Sequence, residues 1–224
     1  MRNGIISLSG GADSATTLAL ALKEGFEMRA VAFRYGSKHN ELELAAATKI
    51  ADYYKVPFNI IDIRETMKNF KSSLLQADVE VPKGRYDDKN MASTVVPCRN
   101  LIFATILAGI ADSHGISTVW LGVHGGDHYI YPDCRPETIQ ALESMLSFAT
   151  ENRIKAVHCP FENIDKAGII KLGLEMKVPY ELTRTCYESH ELACGKCGSC
   201  NERLAAFHAN QVVDPIRYEE MEEK

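Results

Sequence analysis

Short apolar runs alternate along this chain with stretches of helical periodicity, and that alternation restricts what it can fold into. Residues 4–9, 28–34, 58–63, 118–123 and 154–158 are short and mostly apolar, as strands buried on both faces of a parallel sheet are. Between them, apolar residues recur every three or four positions. One stripe runs through Thr17, Leu18, Leu20, Ala21 and Leu22 and stops at Gly25; the next carries Leu44, Ala45, Thr48, Ile50 and Ala51. Further helices are expected over 100–114, 137–149 and 165–176, the last with Asp165 as its N-cap, and near 201–210. Parallel strands joined by helices need right-handed crossovers. The expected fold is therefore α/β, a doubly wound, parallel, five-stranded sheet.

A chain of 224 residues suffices for one such domain with a small appendage. The expected division is residues 1–180 as a nucleotide-binding and catalytic domain, 181–212 as a cysteine knuckle with its closing helix, and 213–224 as a charged tail. Residues 69–93 interrupt the pattern with Pro82, Gly84 and the pair Asp87-Asp88. A loop of that length inside a compact domain is typically functional, and a lid is one such use.

The turn after the first strand reads Ser9-Gly10-Gly11-Ala12-Asp13-Ser14. Glycines let successive backbone N–H groups converge on an anion, and the helix that follows adds the positive end of its dipole. Ser9 and Ser14 can add hydroxyl hydrogen bonds. The loop lacks the Gly-Lys-Ser/Thr of a Walker motif and is not Gly-x-Gly-x-x-Gly. Lys38, Arg99, Arg135 and Lys166 fall at predicted strand-to-helix connections or helix starts, where open sheets place their ligands. His39, His124 and His128 suit either packing or proton transfer.

Four of the seven cysteines crowd together as Cys186-x7-Cys194-x2-Cys197-x2-Cys200. Four thiolates at this spacing make a closed tetrahedral set for structural zinc, with Gly195 and Gly198 allowing the chain to curl around it. The ferredoxin continuation x3-Cys-Pro is missing, which argues against an iron–sulfur cluster. Cys98, Cys134 and Cys159 stand apart. No export signal precedes the first strand and no apolar run in the sequence approaches the length of a membrane span, so the expectation is a cytoplasmic protein with reduced thiols. A net charge of −5 without a Lys/Arg cluster argues against a nucleic-acid surface.

The glycine loop resembles the signature of the PP-loop ATP pyrophosphatases, which cleave ATP between the α and β phosphates. By that resemblance Leu8, Ser9, Gly10, Gly11, Ala12, Asp13, Ser14, Ala15, Thr16, Thr17 and Leu18 line the nucleotide, and the backbone around Ala32 and Phe33 meets the adenine. Further segments resemble the 7-cyano-7-deazaguanine synthase family in particular. They are Phe33-Arg34-Tyr35-Gly36-Ser37-Lys38-His39, Val96-Pro97-Cys98-Arg99-Asn100, the stretch from Gly122-Val123 through Asp127 to Tyr131-Pro132-Asp133-Cys134-Arg135, Asp165-Lys166, and Thr185-Cys186-Tyr187 before the cysteine run.

That resemblance implies a ligase for which 7-carboxy-7-deazaguanine, ammonia and ATP are substrates. The acid is adenylylated and aminated to an amide, which a second ATP converts to the nitrile preQ0. It further implies Lys38, Arg99, Arg135 and Lys166 as catalytic cations, and Asp127, Tyr131, Asp133 and Cys134 as substrate contacts. Magnesium would accompany ATP on Asp13, Asp127 or Asp133, zinc would be structural, and the assembly would be a homodimer. Two positions depart from the family pattern: Ser37 stands where Gln is usual, and Cys98 where a small residue is usual. If they face the substrate, the reaction would stop at the amide. Two other readings stay open, a PP-loop enzyme acting on tRNA and a nucleotide sensor without turnover.

Overall fold

The computed structural model describes residues 2–76, 78–84 and 89–219. Five strands form the sheet: β1 (Asn3–Ser7), β2 (Glu27–Arg34), β3 (Phe58–Asp62), β4 (Thr118–Trp120) and β5 (Ala156–His158). All neighbours are parallel and the order is β3-β2-β1-β4-β5. Because side chains alternate across a strand, neighbouring residues feed opposite cores. Ile5, Val31 and Val119 join one core; Ile6, Ala30 and Trp120 join the other.

Helices α1 (Ala12–Lys23), α2 (Asn40–Tyr54), α6 (Lys166–Glu175) and α7 (Gly198–Ala209) supply the Ile6 side. Helices α4 (Arg99–Ser113) and α5 (Pro136–Ala149) cover the Ile5 side, and α3 (Arg64–Met67) is a single turn that buries Met67 there. The doubly wound five-stranded sheet expected from the sequence is thus the sheet observed. Strand order reverses at β1, whose neighbours β2 and β4 are reached by connections of opposite sense. A crevice opens there at the carboxyl ends of β1 and β4, the place where such sheets bind ligands.

Several expectations need correction. Strands β1 and β4 are shorter than their apolar runs: Leu8 and Leu121 still donate to Val31 O and His158 O, and residues 9 and 122–123 leave the ladder to build the crevice. Gly122 shows why, since a Cβ there would lie 3.0 Å from the Ser14 amide nitrogen. The 69–93 loop is anchored at some points, while residues 76 and 78–80 are exposed as a surface loop requires. Ser72, Ser73 and Leu74 are buried, Ser73 N donates to Ser93 O, and Lys83 bridges to Cys197. Asp87 and Asp88 lie outside the described residues, as do residues 220–224. The segment Met91–Ser113 does have the length and hydropathy of a membrane span, contrary to the sequence reading. Its helical part, α4, packs across β1 and β4 and buries Phe103, Ala104, Leu107, Ala108 and Ala111 in the core.

Candidate active site

The turn between β1 and α1 shapes one wall of the crevice. Gly10 has φ +85°, and a Cβ there would sit 2.4 Å from the carbonyl oxygen of Glu43. Glycine is therefore required twice over, by conformation and by the close approach of α2. The Ser9 and Ser14 hydroxyls lie 3.0 Å apart, Ser9 N donates to Ser14 Oγ, and Gly11 N donates to Ser9 Oγ. No side chain caps α1 at Gly11. Its first amides and its dipole are therefore available to an anion. Of the eleven-residue window, Ser9, Gly11, Asp13 and Ser14 border the cavity. Leu8, Ala12, Ala15, Thr16, Thr17 and Leu18 are buried instead, most of them in the core. Gly10 holds the chain together by accepting the Arg184 amide.

Opposite the loop lies a buried charge cluster. Lys166 opens α6 just after Asp165, whose carboxylate caps the helix through Gly168 N. Lys166 is 5% exposed, and its ammonium lies 2.5 Å from Asp13 Oδ2 and 3.3 Å from Glu202 Oε2. His124 Nδ1 accepts from Gly126 N, which leaves the proton on Nε2. That nitrogen faces Asp127 at 3.5 Å, Glu202 at 3.9 Å and Asp13 at 4.0 Å. Burial works against the charge on Asp13, but Lys166 and His124 outweigh it and hold the carboxyl below its ordinary range. Burial likewise opposes the charge on Lys166, and Asp13, Glu202 and Asp127 more than restore it. Glu202 is pushed up, because its burial exceeds the help of Lys166 and His124. Asp13 Oδ1 is buried without a hydrogen-bond partner.

The second wall comes from α4 and the segment before α5. Cys98 caps α4 with φ +54°, is exposed and stays outside the cavity, and Arg99 follows it inward. The Arg99 guanidinium lies over the Tyr35 ring at 5.8 Å. Asp133 does not reach the cavity, because its Oδ2 accepts the Asn100 amide at the start of α4, 2.8 Å away. Asn100 Nδ2 in turn donates to Cys134 Sγ. Burial first, then Asp127 and Asp133, raise the Cys134 thiol far above its ordinary value, so it is a neutral contact. The Tyr131 hydroxyl meets those of Thr94 and Tyr187.

Of the four expected cations, Arg99 and Lys166 border the cavity; Lys38 and Arg135 do not. Lys38 points into the neighbouring loop and bonds Val79 O, and Arg135 donates to His128 O from an exposed position before α5. His39, Glu43, Phe103, Arg184 and Glu202 border the cavity as well. Glu43 and Glu202 both read in the sequence as charges on expected helices, so no local signal marks either one.

The four clustered cysteines are buried and their ligand atoms all lie within 4.8 Å of one another. Zinc–sulfur bonds of 2.3 Å at tetrahedral angles place sulfurs about 3.8 Å apart. Cys194 Sγ and Cys200 Sγ are 4.0 Å apart. Backbone amides of Glu188 and Cys194 point at Cys186 Sγ, and those of Lys196 and Cys197 at Cys194 Sγ, as thiolates require. The set fits a metal ion. Helix α7 starts within it and carries Glu202 to the crevice. The next residue, Arg203, is buried and grips Asp214 and Thr183.

A doubly wound sheet with an anion-ready glycine turn at its switch point, facing a buried Lys–Asp pair, defines a PP-loop type of nucleotide-using domain. Solved structures agree on the fold. NMN synthetase from Francisella tularensis superposes with a TM-score of 0.53 at 15% identity, covering 93% of this chain and 77% of that one. A 4-thiouridine synthetase–RNA complex with bound ATP gives 0.50 at 18%, covering 97% and 47%. The family model described as "Queuosine biosynthesis protein QueC" matches residues 3–211, and the chain belongs to that family. Among similar proteins, 7-cyano-7-deazaguanine synthase 2 of Colwellia psychrerythraea is 45% identical over 219 residues, covering 97% of this chain and 99% of the relative. The 7-cyano-7-deazaguanine synthase of Marinobacter nauticus is 42% identical, covering 97% of each.

Proposed function

We propose that the chain is an ATP-dependent ligase that converts 7-carboxy-7-deazaguanine and ammonia to 7-cyano-7-deazaguanine, preQ0, through the adenylylated acid and the adenylylated amide. The observation that carries this reading is the single cavity that joins the uncapped start of α1 to Lys166, Arg99 and Tyr131 in a chain of this family. The α1 amides with Ser9, Gly11 and Ser14 grip the departing pyrophosphate, and Lys166 neutralises developing charge beside them. Arg99 pairs with the substrate carboxylate, while Asp127, Tyr131 and Cys134 contact its heterocycle. Asp133 acts by holding the start of α4, and Lys38 and Arg135 act outside the cavity. The adenine lies against the end of β2 near Ala32 and Phe33, which line a small pocket beside Ser7 and Ser9.

Asp13, with its unpartnered Oδ1, is the residue suited to hold magnesium with the phosphates. Zinc is the metal for the four thiolates, where it locks the start of α7. The division into residues 1–180, 181–212 and 213–224 follows the roles of nucleotide site, metal knuckle and tail. The partners are small molecules and a second copy of the chain. An apolar groove lined by Leu101, Ile102, Ile106, Leu142 and Met145 supports the homodimer, the acidic balance supports an enzyme that binds no nucleic acid, and its place is the cytoplasm. The position of Cys98 outside the cavity favours the nitrile over the amide as product.

Purified protein incubated with ATP, ammonia and 7-carboxy-7-deazaguanine tests the reading. Sustained pyrophosphate release should need both acid and ammonia, and mass spectrometry should find the nitrile. A final product retaining one water would replace the nitrile by the amide. Firm retention on heparin together with no acid-dependent pyrophosphate would favour a tRNA substrate.

A further inference from the structure

His39 borders the cavity, and its ring packs against that of Tyr187 with centroids 5.4 Å apart. The residue precedes α2, but its side chain makes no cap hydrogen bond, and the ring is 2% exposed. Nε2 lies 3.4 Å from Glu43 Oε2 and 3.5 Å from Ser37 Oγ, whereas the buried Nδ1 has no hydrogen-bond partner. A carboxylate facing one nitrogen favours the proton on that side and leaves a lone pair on the other. Glu43, one turn later on α2, is held by the packing of that helix against the glycine turn.

The cavity offers few other proton acceptors among the described residues. Both nitrogens of His124 are engaged, Nδ1 by Gly126 N and Nε2 by its three carboxylates. Lys166 and Arg99 carry their full complement of protons. Asp13 is tied to Lys166, and Glu202 shares the same ammonium. The thiol of Cys134 and the hydroxyls of Tyr35 and Tyr187 are buried and hold their protons.

Resting on the function proposed above, we propose that His39 Nδ1 is the general base of the second half-reaction, with Glu43 as its positioning residue. The activated amide is an O-adenylylated imidate. One of the two amide protons is lost to solvent as the oxygen is adenylylated. The remaining N–H proton passes to Nδ1, and its bonding pair becomes the last carbon–nitrogen bond of the nitrile. The carbon–oxygen bond breaks toward the phosphate and AMP leaves. The imidazolium then returns the proton to solvent, so no further reactant is needed.

Two assays on zinc-loaded enzyme separate this role from binding or folding. Acid-dependent ATP–pyrophosphate exchange reports the first adenylylation, and conversion of supplied 7-amido-7-deazaguanine reports the second half-reaction. His39→Gln should lose about 100-fold or more in amide-to-nitrile conversion, the usual contribution of a general base, while exchange falls by less than about tenfold. Glu43→Gln should show the same bias to a smaller degree. With acid and ammonia supplied, both variants should accumulate amide. Equal losses in the two assays, or conversion of amide by His39→Gln within about threefold of the unaltered enzyme, would overturn the assignment. Failure of the unaltered enzyme to make nitrile would overturn the function itself, and the two failures are thus distinguishable.

Discussion

Replacing Lys166 by Met keeps the length of the side chain and removes its charge. Lys166 is 5% exposed and its ammonium lies against Asp13 at 2.5 Å and Glu202 at 3.3 Å, so the variant leaves two carboxylates facing each other without their cation. Breaking a buried pair by removing one partner costs about 3–5 kcal/mol. At about 2–4 °C per kcal/mol for a chain of this size, the melting temperature should fall by about 6–20 °C at pH 8. The pH dependence gives a sharper test. In the unaltered protein, Asp13 is held below its ordinary 3.8, so its stabilising effect is present above that value and is lost only as the pH falls below it. Without Lys166 the burial of Asp13 and Glu202 dominates and both carboxyls are raised. The folded variant then takes up protons that the unfolded chain does not, and its deficit shrinks on going from pH 8 to pH 5. Thermal unfolding followed by circular dichroism at both pH values measures this. A melting temperature within 2 °C of the unaltered protein at pH 8, or a deficit that is equal at both pH values, would refute the role given to the cluster.

Three further outcomes are expected. Gly10→Ala should destabilise the protein by at least about 2 kcal/mol and abolish ATP–pyrophosphate exchange, because the new methyl meets the Glu43 carbonyl and φ is +85°; urea unfolding and exchange assays check it. Cys98→Gly should raise stability by about 0.5–1 kcal/mol with turnover intact, since it relieves a left-handed backbone at an exposed position outside the cavity, and the urea midpoint reads this directly. Stripping metal with a chelator should free four thiols for titration by a disulfide reagent and lower the melting temperature, whereas an unchanged thiol count would contradict a metal-bound cluster.

Much of the architecture is written locally. Apolar runs and helical stripes need only neighbouring residues to declare themselves, so the five strands and the principal helices could be read in order. The glycine turn could be read for the same reason: the positive φ of Gly10 and the small residues around it are properties of six consecutive positions. The cysteine run also announced its chemistry through spacing alone. Where a reading overran, as at Gly122 and Val123, apolar character continued although the backbone had left the sheet.

Partnerships across the chain followed a different rule. Asp13 and Lys166 are 153 positions apart, and Glu202 joins them only because α7 is anchored at the cysteine cluster and packs on α6. The same logic removed Lys38, Arg135 and Asp133 from the cavity and admitted Glu43. A charged residue at a helix start looks alike in sequence whether its side chain turns inward or outward. Residue type and local period thus determined the sheet, the turn and the metal set. Which charges meet depended on the packing of helices onto the two faces of the sheet, because burial and distance, the two quantities that set electrostatic strength, exist only once the chain has closed on itself.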